Sequence, residues 1–192
     1  GLVSFDDALI LLFPVSTMAG PVWITTTDRI NNFMNESGLD YNQDCDSLDD
    51  NTCISLKENL VSENGLNLGW LLLDGKKISD YSQLKEDIKR FKDNIEDNLD
   101  KKILDRIVIV NDKVFKQVVN DNLEIRTSVA IDPMTGAAVE GALFTYEAIP
   151  RTTIFSSVTV ISNPQYFKNN ITNMDEAKDI VESGFGYLEY MG

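Results

Sequence analysis

The strongest constraint on the fold is an amphipathic helix whose apolar residues occupy one face only. Five apolar residues follow one another at intervals of 4, 3, 4 and 4 residues, namely Leu84, Ile88, Phe91, Ile95 and Leu99. This spacing matches 3.6 residues per turn, and the other face carries Lys, Asp and Glu. We expect Ser79 or Asp80 to cap the helix. Because only one side is apolar, the helix must dock on another layer of structure.

Short extended segments supply that layer. Apolar and β-branched runs predict strands at 3–13 (ending at Pro14), 22–24, 106–110, 123–131, 142–149 and 154–161. Residues 54–73 contain two further extended segments on either side of Asn64-Gly65, the second being 66–73. Further helices are predicted at 29–35, capped by Thr27 or Asp28, at 113–119, capped by Asp112, and at 174–181. The pattern predicts an α+β fold in a single domain over residues 1–192, most simply a ferredoxin-like or RRM-like sheet with docked helices.

Two turns and three aromatic residues complete this prediction. Asn64-Gly65 lies between apolar runs and predicts a hairpin. The sequence at 132–136, Asp-Pro-Met-Thr-Gly, predicts a turn in which Pro fixes φ, Asp bonds back to the backbone and Gly supplies a positive φ. We assign Trp23, Trp70 and Phe91 to the hydrophobic core.

The absence of histidine narrows the chemistry that the chain can perform. It excludes a Ser-His-Asp triad, a Cys-His pair and a zinc site with histidine ligands. Acid–base chemistry must come from carboxylates, Lys, Tyr or a bound metal ion. Cys45 and Cys53 are too few for a disulfide framework. Their spacing permits a local disulfide, but we expect free thiols in a reducing compartment.

The net charge of 17 − 31 = −14 opposes non-specific binding to nucleic acid, so any RNA contact must be local. Residues 35–52 contain six acidic residues and no Lys or Arg, and are interpreted as an acidic surface loop. Within it, residues 40–44 begin like a calcium loop, but Cys45 stands where Gly is required and Asn51 where Glu is required. No apolar run reaches the roughly 18 to 20 residues of a membrane helix.

The segment 126–155 is the most unusual part of the sequence. It contains a run of residues too small to fill a core, namely Gly136, Ala137, Ala138, Gly141 and Ala142. Such a stretch is either a flexible loop or a finger that another surface approaches closely. Composition alone favours a plain hairpin loop between two strands.

This segment also resembles a known family. The matching residues are Arg126-Thr127, Ile131-Asp132, Thr135-Gly136, Ala138, 140–144, Tyr146-Glu147, Pro150 and Phe155. Upstream matches are Ser4-Phe5, Asp7-Ala8, 11–15, Gly20, 106–112 and Phe115. In order and spacing the chain resembles the repeated backbone subunit of type III-B CRISPR (Cmr) RNA-silencing complexes, within the RAMP superfamily. The resemblance covers nearly the whole chain except the acidic loop and the long charged helix.

The resemblance implies an RRM-like core with an inserted thumb hairpin, here residues 126–150. Subunits of that family stack as a helical filament along a guide RNA, and the target strand is cut at regular intervals with a divalent metal ion, expected to be Mg²⁺. The implied partners are a CRISPR guide RNA, a complementary target RNA, further copies of the chain and other CRISPR effector subunits. The implied location is the cytoplasm, without a membrane.

The resemblance also implies roles for individual residues. Tyr146 and Glu147 match a tyrosine and an acid near the family's cleavage site, and we expect them to be catalytic. The RNA contacts implied for the thumb are Arg126, Thr127, Ile131, Met134, Thr135, Ala138, Leu143, Phe144 and Arg151. No metal ligand is identified. The alternative for Arg126 is a surface ion pair with Glu124 or Glu140, and Asp132 is assigned to its turn.

The family's cleavage aspartate precedes the first strand seen here, and its Gly-rich RNA-facing loop follows the point where this chain stops. We therefore expect a central portion of a longer subunit. The first functional hypothesis is a metal-dependent endoribonuclease in the full complex. The alternatives are a non-catalytic structural RNA-binding subunit and, less favoured, a protein–protein adaptor suggested by the acidic surface.

Overall fold

The structure is a computed structural model that describes residues 2–39, 48–61, 65–95, 99–139, 141–167, 170–171 and 173–188. The strands are β1 (Val3–Phe5), β2 (Leu9–Val15), β3 (Val22–Thr25), β4 (Thr52–Ser55), β5 (Leu66–Leu68), β6 (Leu71–Lys77), β7 (Ile107–Ile109), β8 (Glu124–Ser128), β9 (Phe144–Ala148), β10 (Ile154–Ser156) and β11 (Thr159–Ile161). The helices are α1 (Thr27–Glu36), α2 (Ser82–Ile95), α3 (Lys101–Leu104), α4 (Asp112–Asp121) and α5 (Met174–Leu188).

The chain forms two compact units, one from Gly1–Leu9 with Ser156–Gly192 and one from Ile10–Phe155. In the first, β1 pairs antiparallel with β11, and the Phe5 and Phe185 rings meet edge to face at 6.2 Å. The second is built on a seven-stranded mixed sheet in the order β10-β2-β3-β7-β4-β6-β5. Within that sheet β3 runs parallel to β7, and β4 runs parallel to β6. The mixed strands and helices confirm the predicted α+β class.

Strand β7 shows that the large sheet is covered on both faces. Ile107 and Ile109 belong to a core cluster with residues of α1 and α2, whereas Val108 and Val110 belong to a cluster with residues of α4. Successive side chains of a strand point to opposite faces. Therefore α1 and α2 cover one face and α4 covers the other, which explains why the 106–110 segment is apolar at every position from 107 onward.

The long amphipathic helix docks as its spacing predicts. Leu84, Ile88, Phe91 and Ile95 of α2 are buried, and the Phe91 ring meets the Phe33 ring of α1 edge to face at 5.6 Å. The predicted cap was wrong, because Ser79 and Asp80 form a 3₁₀ turn at Ile78–Asp80 that precedes the helix. Leu99 lies beyond the end of α2 but still packs against the same cluster.

The caps of α1 and α4 lie one or two residues before the predicted ones. Thr26 has extended backbone and its side chain accepts a hydrogen bond from the Arg29 amide. The Asn111 side chain accepts from the Val114 amide at 2.8 Å. An N-cap must lie outside the helix while its side chain reaches the third helical amide, and Thr27, Asp28 and Asp112 are already helical.

Several predicted strands were too long or are interrupted, and the 66–73 segment divides into β5 and β6. The 3–13 segment divides into β1 and β2 around the exposed Asp6 and Asp7, and the 154–161 segment divides into β10 and β11. Strand β2 also continues through Pro14, which stands opposite Trp23 of β3. On its other side β2 meets only the three-residue β10, so a residue without an N–H is tolerated. The 123–131 segment is a strand only as far as Ser128.

The hairpin near residue 65 forms at a different turn from the predicted one. Strands β5 and β6 are joined by Gly69 and Trp70, with Leu68 paired to Leu71. Gly69 has a φ of +60°, which favours glycine. Asn64 lies outside the described residues. Trp70 is 100% exposed at this turn, so its assignment to the core was wrong, whereas Trp23 and Phe91 are buried as predicted.

Cys53 is a free, buried thiol, as expected, and Cys45 lies outside the described residues. Burial, together with the negative charge of Asp74, raises the pKa of Cys53 to about 12. Residues 40–47 of the acidic loop, including the start of the calcium-like pattern, also lie outside the described part. Across the ranges that the structure describes, no helix is both long and apolar enough to cross a membrane.

Candidate nucleic-acid interface

Strands β8 and β9 form a separate two-stranded antiparallel hairpin within residues 126–150 and their flanks. Ile125 stands opposite Glu147, Arg126 opposite Tyr146, and Thr127 opposite Thr145. Because neighbouring residues of a strand point to opposite faces, the ribbon has two chemically different sides. Tyr146 and Glu147, which were predicted together, therefore lie on opposite sides.

The first side carries Arg126, Phe144 and Tyr146 and is called the aromatic face. The Phe144 and Tyr146 rings lie 5.9 Å apart with their planes at 31°, and both rings are exposed. Exposed aromatic rings near a guanidinium group are the chemistry on which bases stack and phosphates bind in single-stranded nucleic acid. The side can therefore contact RNA without reading its sequence.

The second side carries Ile125, Thr127, Thr145 and Glu147 and is called the carboxylate face. The hydroxyl oxygens of Thr127 and Thr145 lie 3.5 Å apart across the two strands. Glu147 is exposed, and among the described residues it forms no ion pair. This side can present a carboxylate and two hydroxyl groups to a polar partner such as a ribose.

Arg126 is paired with Glu124 on its own strand, the first of the two alternatives that the sequence left open. Its Nε and Nη2 donate to Glu124 Oε2 at 3.0 and 2.6 Å. These bonds lower the pKa of Glu124, with smaller contributions from a backbone hydrogen bond and the charge of Arg151. The same pair raises the pKa of Arg126, to which Tyr146 also contributes. Glu140 lies outside the described residues.

The tip of the hairpin is held by its own hydrogen bonds. Ile131 pairs with Ala138, and the turn between them forms as predicted. Asp132 Oδ1 accepts from the Met134 amide at 2.8 Å, and its carbonyl accepts from the Gly136 amide at 2.8 Å. The Met134 bond lowers the pKa of Asp132. Met134 is 90% exposed, and the predicted contacts Ile131, Thr135, Ala138 and Leu143 are exposed beside it.

The exit from the hairpin is fixed to the core by a contact that sequence reasoning missed. Trp23 is buried in β3, and its indole Nε1 donates to the carbonyl of Thr152 at 2.9 Å. Thr152 has a φ of +67°, a conformation that a β-branched residue rarely adopts. Arg151, a predicted RNA contact, immediately precedes it. No signal in the sequence distinguishes Trp23 from an ordinary core tryptophan.

A large cleft elsewhere has the wrong charge for RNA. It encloses about 870 Å³ where α1 and α4 begin. Its charged residues are Asp28, Asp49, Asp50, Asp74, Asp112 and Lys113, a balance of 1 − 5 = −4. Lys113 is bonded to Asp50, which lowers the pKa of that carboxyl. A phosphate backbone is repelled there, and the hairpin is the better RNA surface.

The expected metal ion finds no ready site in the part of the chain described. No group of three or more Asp, Glu or Cys side chains among these residues could hold a metal ion. On the hairpin, Glu124 and Glu147 lie on opposite sides, since Glu124 shares the side of Arg126. The residues that the structure describes therefore do not form a metal centre by themselves.

Comparison with known proteins places this architecture in a family. The sequence model of the RAMP superfamily matches residues 1–182. The chain belongs to the RAMP superfamily. The CRISPR system Cmr endoribonuclease Cmr4 of Pyrococcus furiosus is 29% identical over 167 residues, which are 84% of this chain and 56% of that protein. The resemblance noted in the sequence is thus confirmed.

Solved structures show the same RAMP fold. A crystal structure of Cmr4 superposes with a TM-score of 0.65 at 24% identity, covering 95% of this chain and 64% of that one. A cryo-EM structure of the type III-B Cmr-β complex bound to cognate target RNA contains a chain with a TM-score of 0.56 at 15% identity, covering 85% of this chain and 58% of that one. This RAMP chain spans about three fifths of the length of these relatives, and the predicted RAMP core is confirmed.

Proposed function

We propose that this chain is the guide-RNA-binding part of a backbone subunit in a type III-B Cmr effector complex that cleaves complementary target RNA at regular intervals. The observation that carries the proposal is the β8–β9 hairpin, an exposed ribbon with one aromatic and one carboxylate face. Support comes from relatives whose names and structures describe an endoribonuclease and a complex bound to target RNA. The partners are the two RNAs, further copies of the chain and other effector subunits, in the cytoplasm.

The aromatic face holds RNA in a sequence-independent manner. Phe144 and Tyr146 stack on bases and Arg126 binds a phosphate, while Arg151 adds a second positive charge at the base of the hairpin. The exposed residues at the tip of the hairpin add contacts to the RNA beyond those of strands β8 and β9. Base stacking and backbone contacts suit a guide whose sequence varies, because they do not depend on base identity.

The carboxylate face acts on the scissile strand. A 2′-oxygen attacks the adjacent phosphorus, the bond from phosphorus to the 5′-oxygen breaks, and the products carry a 2′,3′-cyclic phosphate and a 5′-hydroxyl. Glu147 accepts the proton of the attacking 2′-hydroxyl, Thr127 orients the ribose, and solvent protonates the leaving oxygen. Tyr146 lies on the other side of the ribbon, where its stacking on the guide holds the paired target strand in place for in-line attack.

The use of a divalent ion is also a proposal, and none of the steps described above depends on it. Mg²⁺ commonly binds through one or two carboxylates together with substrate phosphates, so its site in such a complex need not be preformed in one chain. The alternative function is a structural RNA-binding subunit without cleavage. It is favoured by the absence, among the described residues, of a group of three or more acidic or cysteine side chains that could hold a metal ion.

Binding of a single-stranded RNA by the full-length subunit tests the aromatic face. We expect Tyr146→Ala to weaken binding by about 1–3 kcal/mol, the range for loss of one stacked base. Tyr187→Ala is the matched control, because Tyr187 is an exposed tyrosine on α5. Equal affinities for the two variants, measured by fluorescence anisotropy, would contradict the proposed role of the aromatic face.

A further inference from the structure

Glu124 and Arg126 form a close ion pair at the base of the hairpin. Glu124 Oε2 accepts two hydrogen bonds from the Arg126 guanidinium, from Nε at 3.0 Å and from Nη2 at 2.6 Å. We infer that Glu124 is a positioning residue that orients the Arg126 guanidinium to bind a phosphodiester. This inference rests on the proposed RNA binding and extends it to a residue that does not itself contact RNA.

Arg126 keeps enough donors to bind a phosphate while it is paired. A guanidinium group has five N–H donors, and only Nε and Nη2 are directed at Glu124 Oε2. N–H donors that are not directed at Glu124 are left over, and the Arg126 side chain is 41% exposed. The ion pair therefore fixes the plane of the guanidinium beside Tyr146 and leaves N–H donors for a phosphate.

The geometry of Arg126 suits an anionic ligand. Its planar fork matches the oxygens of a phosphodiester. The Phe144 and Tyr146 rings on the same side would take the attached bases.

Removing the Glu124 carboxylate should change the affinity for RNA in the opposite direction from the one that charge alone would give. Removing a carboxylate near bound RNA should strengthen binding if Glu124 only repels phosphate. If Glu124 positions Arg126, Glu124→Gln should instead weaken binding severalfold, because the guanidinium loses its anchoring carboxylate. Glu124→Asp should also weaken binding, since the negative charge is kept but the shorter side chain no longer accepts both hydrogen bonds from Arg126.

The experiment measures the affinity of the full-length subunit for a labelled single-stranded RNA over a salt series. For Glu124→Gln we expect a lower affinity and a slope of log K against log salt that is shallower by about 0.7, the value for one lost phosphate contact on a single strand. The control is Glu182→Gln, which makes the same charge change in an exposed ion pair with Lys178 on α5. Its affinity and slope should equal those of the unchanged protein.

A double-mutant cycle tests the role of Glu124 separately from the existence of the RNA site. In an Arg126→Ala background, Glu124→Gln should no longer weaken binding, because the group that it positions is absent. Tighter or unchanged binding of both Glu124 variants, with Arg126→Ala still weakened, would overturn the role of Glu124 alone. Unchanged binding of Arg126→Ala would overturn the RNA site itself, and the inference with it.

Discussion

Replacing Glu147 with glutamine is expected to reduce target-RNA cleavage by the assembled complex about 100-fold or more, the effect typical of losing a positioned general base. The substitution keeps the shape of the side chain but removes the group that takes the proton of the 2′-hydroxyl. Guide binding should be retained, because the aromatic face lies on the other side of the ribbon. Single-turnover cleavage of a labelled target measures the effect.

Glu182→Gln serves as the control in the same assay and should cut at the unaltered rate, since Glu182 lies on α5 and not on the hairpin. Product ends give a second readout, because in-line attack leaves a 2′,3′-cyclic phosphate. If Glu147→Gln cuts at the rate of the control, Glu147 has no part in the chemistry.

Phe91→Ala is expected to lower the free energy of unfolding by about 3–5 kcal/mol, the range for truncating a buried phenylalanine. Phe91 is fully buried between α2 and the sheet, and the truncation also removes its edge-to-face contact with Phe33. Trp70→Ala is the matched comparison. It should change stability by less than about 0.5 kcal/mol, because Trp70 is fully exposed at its hairpin turn.

Urea unfolding followed by circular dichroism measures both variants. The sequence placed both aromatic residues in the core, so the pair tests the part of the fold in which prediction and structure disagree. A loss for Trp70→Ala as large as that for Phe91→Ala would mean that Trp70 is covered by other parts of the protein and that its exposure at the turn is incorrect.

The hydrophobic periodicity of the sequence predicted secondary structure correctly where a single physical requirement determines it. The spacing of Leu84, Ile88 and Phe91 requires a one-sided helix, and the apolar run at 107–110 requires a strand covered on both faces. The turn at Asp132 was predictable for the same reason, because proline, aspartate and glycine each act on their own backbone. These features depend only on residues close together in the sequence.

The candidate site was less predictable because it depends on pairing between distant residues. Tyr146 and Glu147 are adjacent in sequence, yet the pleat sends them to opposite sides of the hairpin. The hydrogen bond from Trp23 to Thr152 spans 129 residues and leaves no pattern in the sequence. The register that places Arg126 opposite Tyr146 likewise requires the pairing of β8 with β9 to be known.

The most direct test is cleavage of a labelled RNA complementary to the guide by the complex assembled with the full-length subunit, in Mg²⁺ and with a chelator. The account predicts a ladder of evenly spaced products in Mg²⁺ that the chelator abolishes, because each copy along the guide presents one hairpin to the target. A target that is bound but stays intact in Mg²⁺ would contradict the cleavage role and leave the chain as an RNA-binding scaffold.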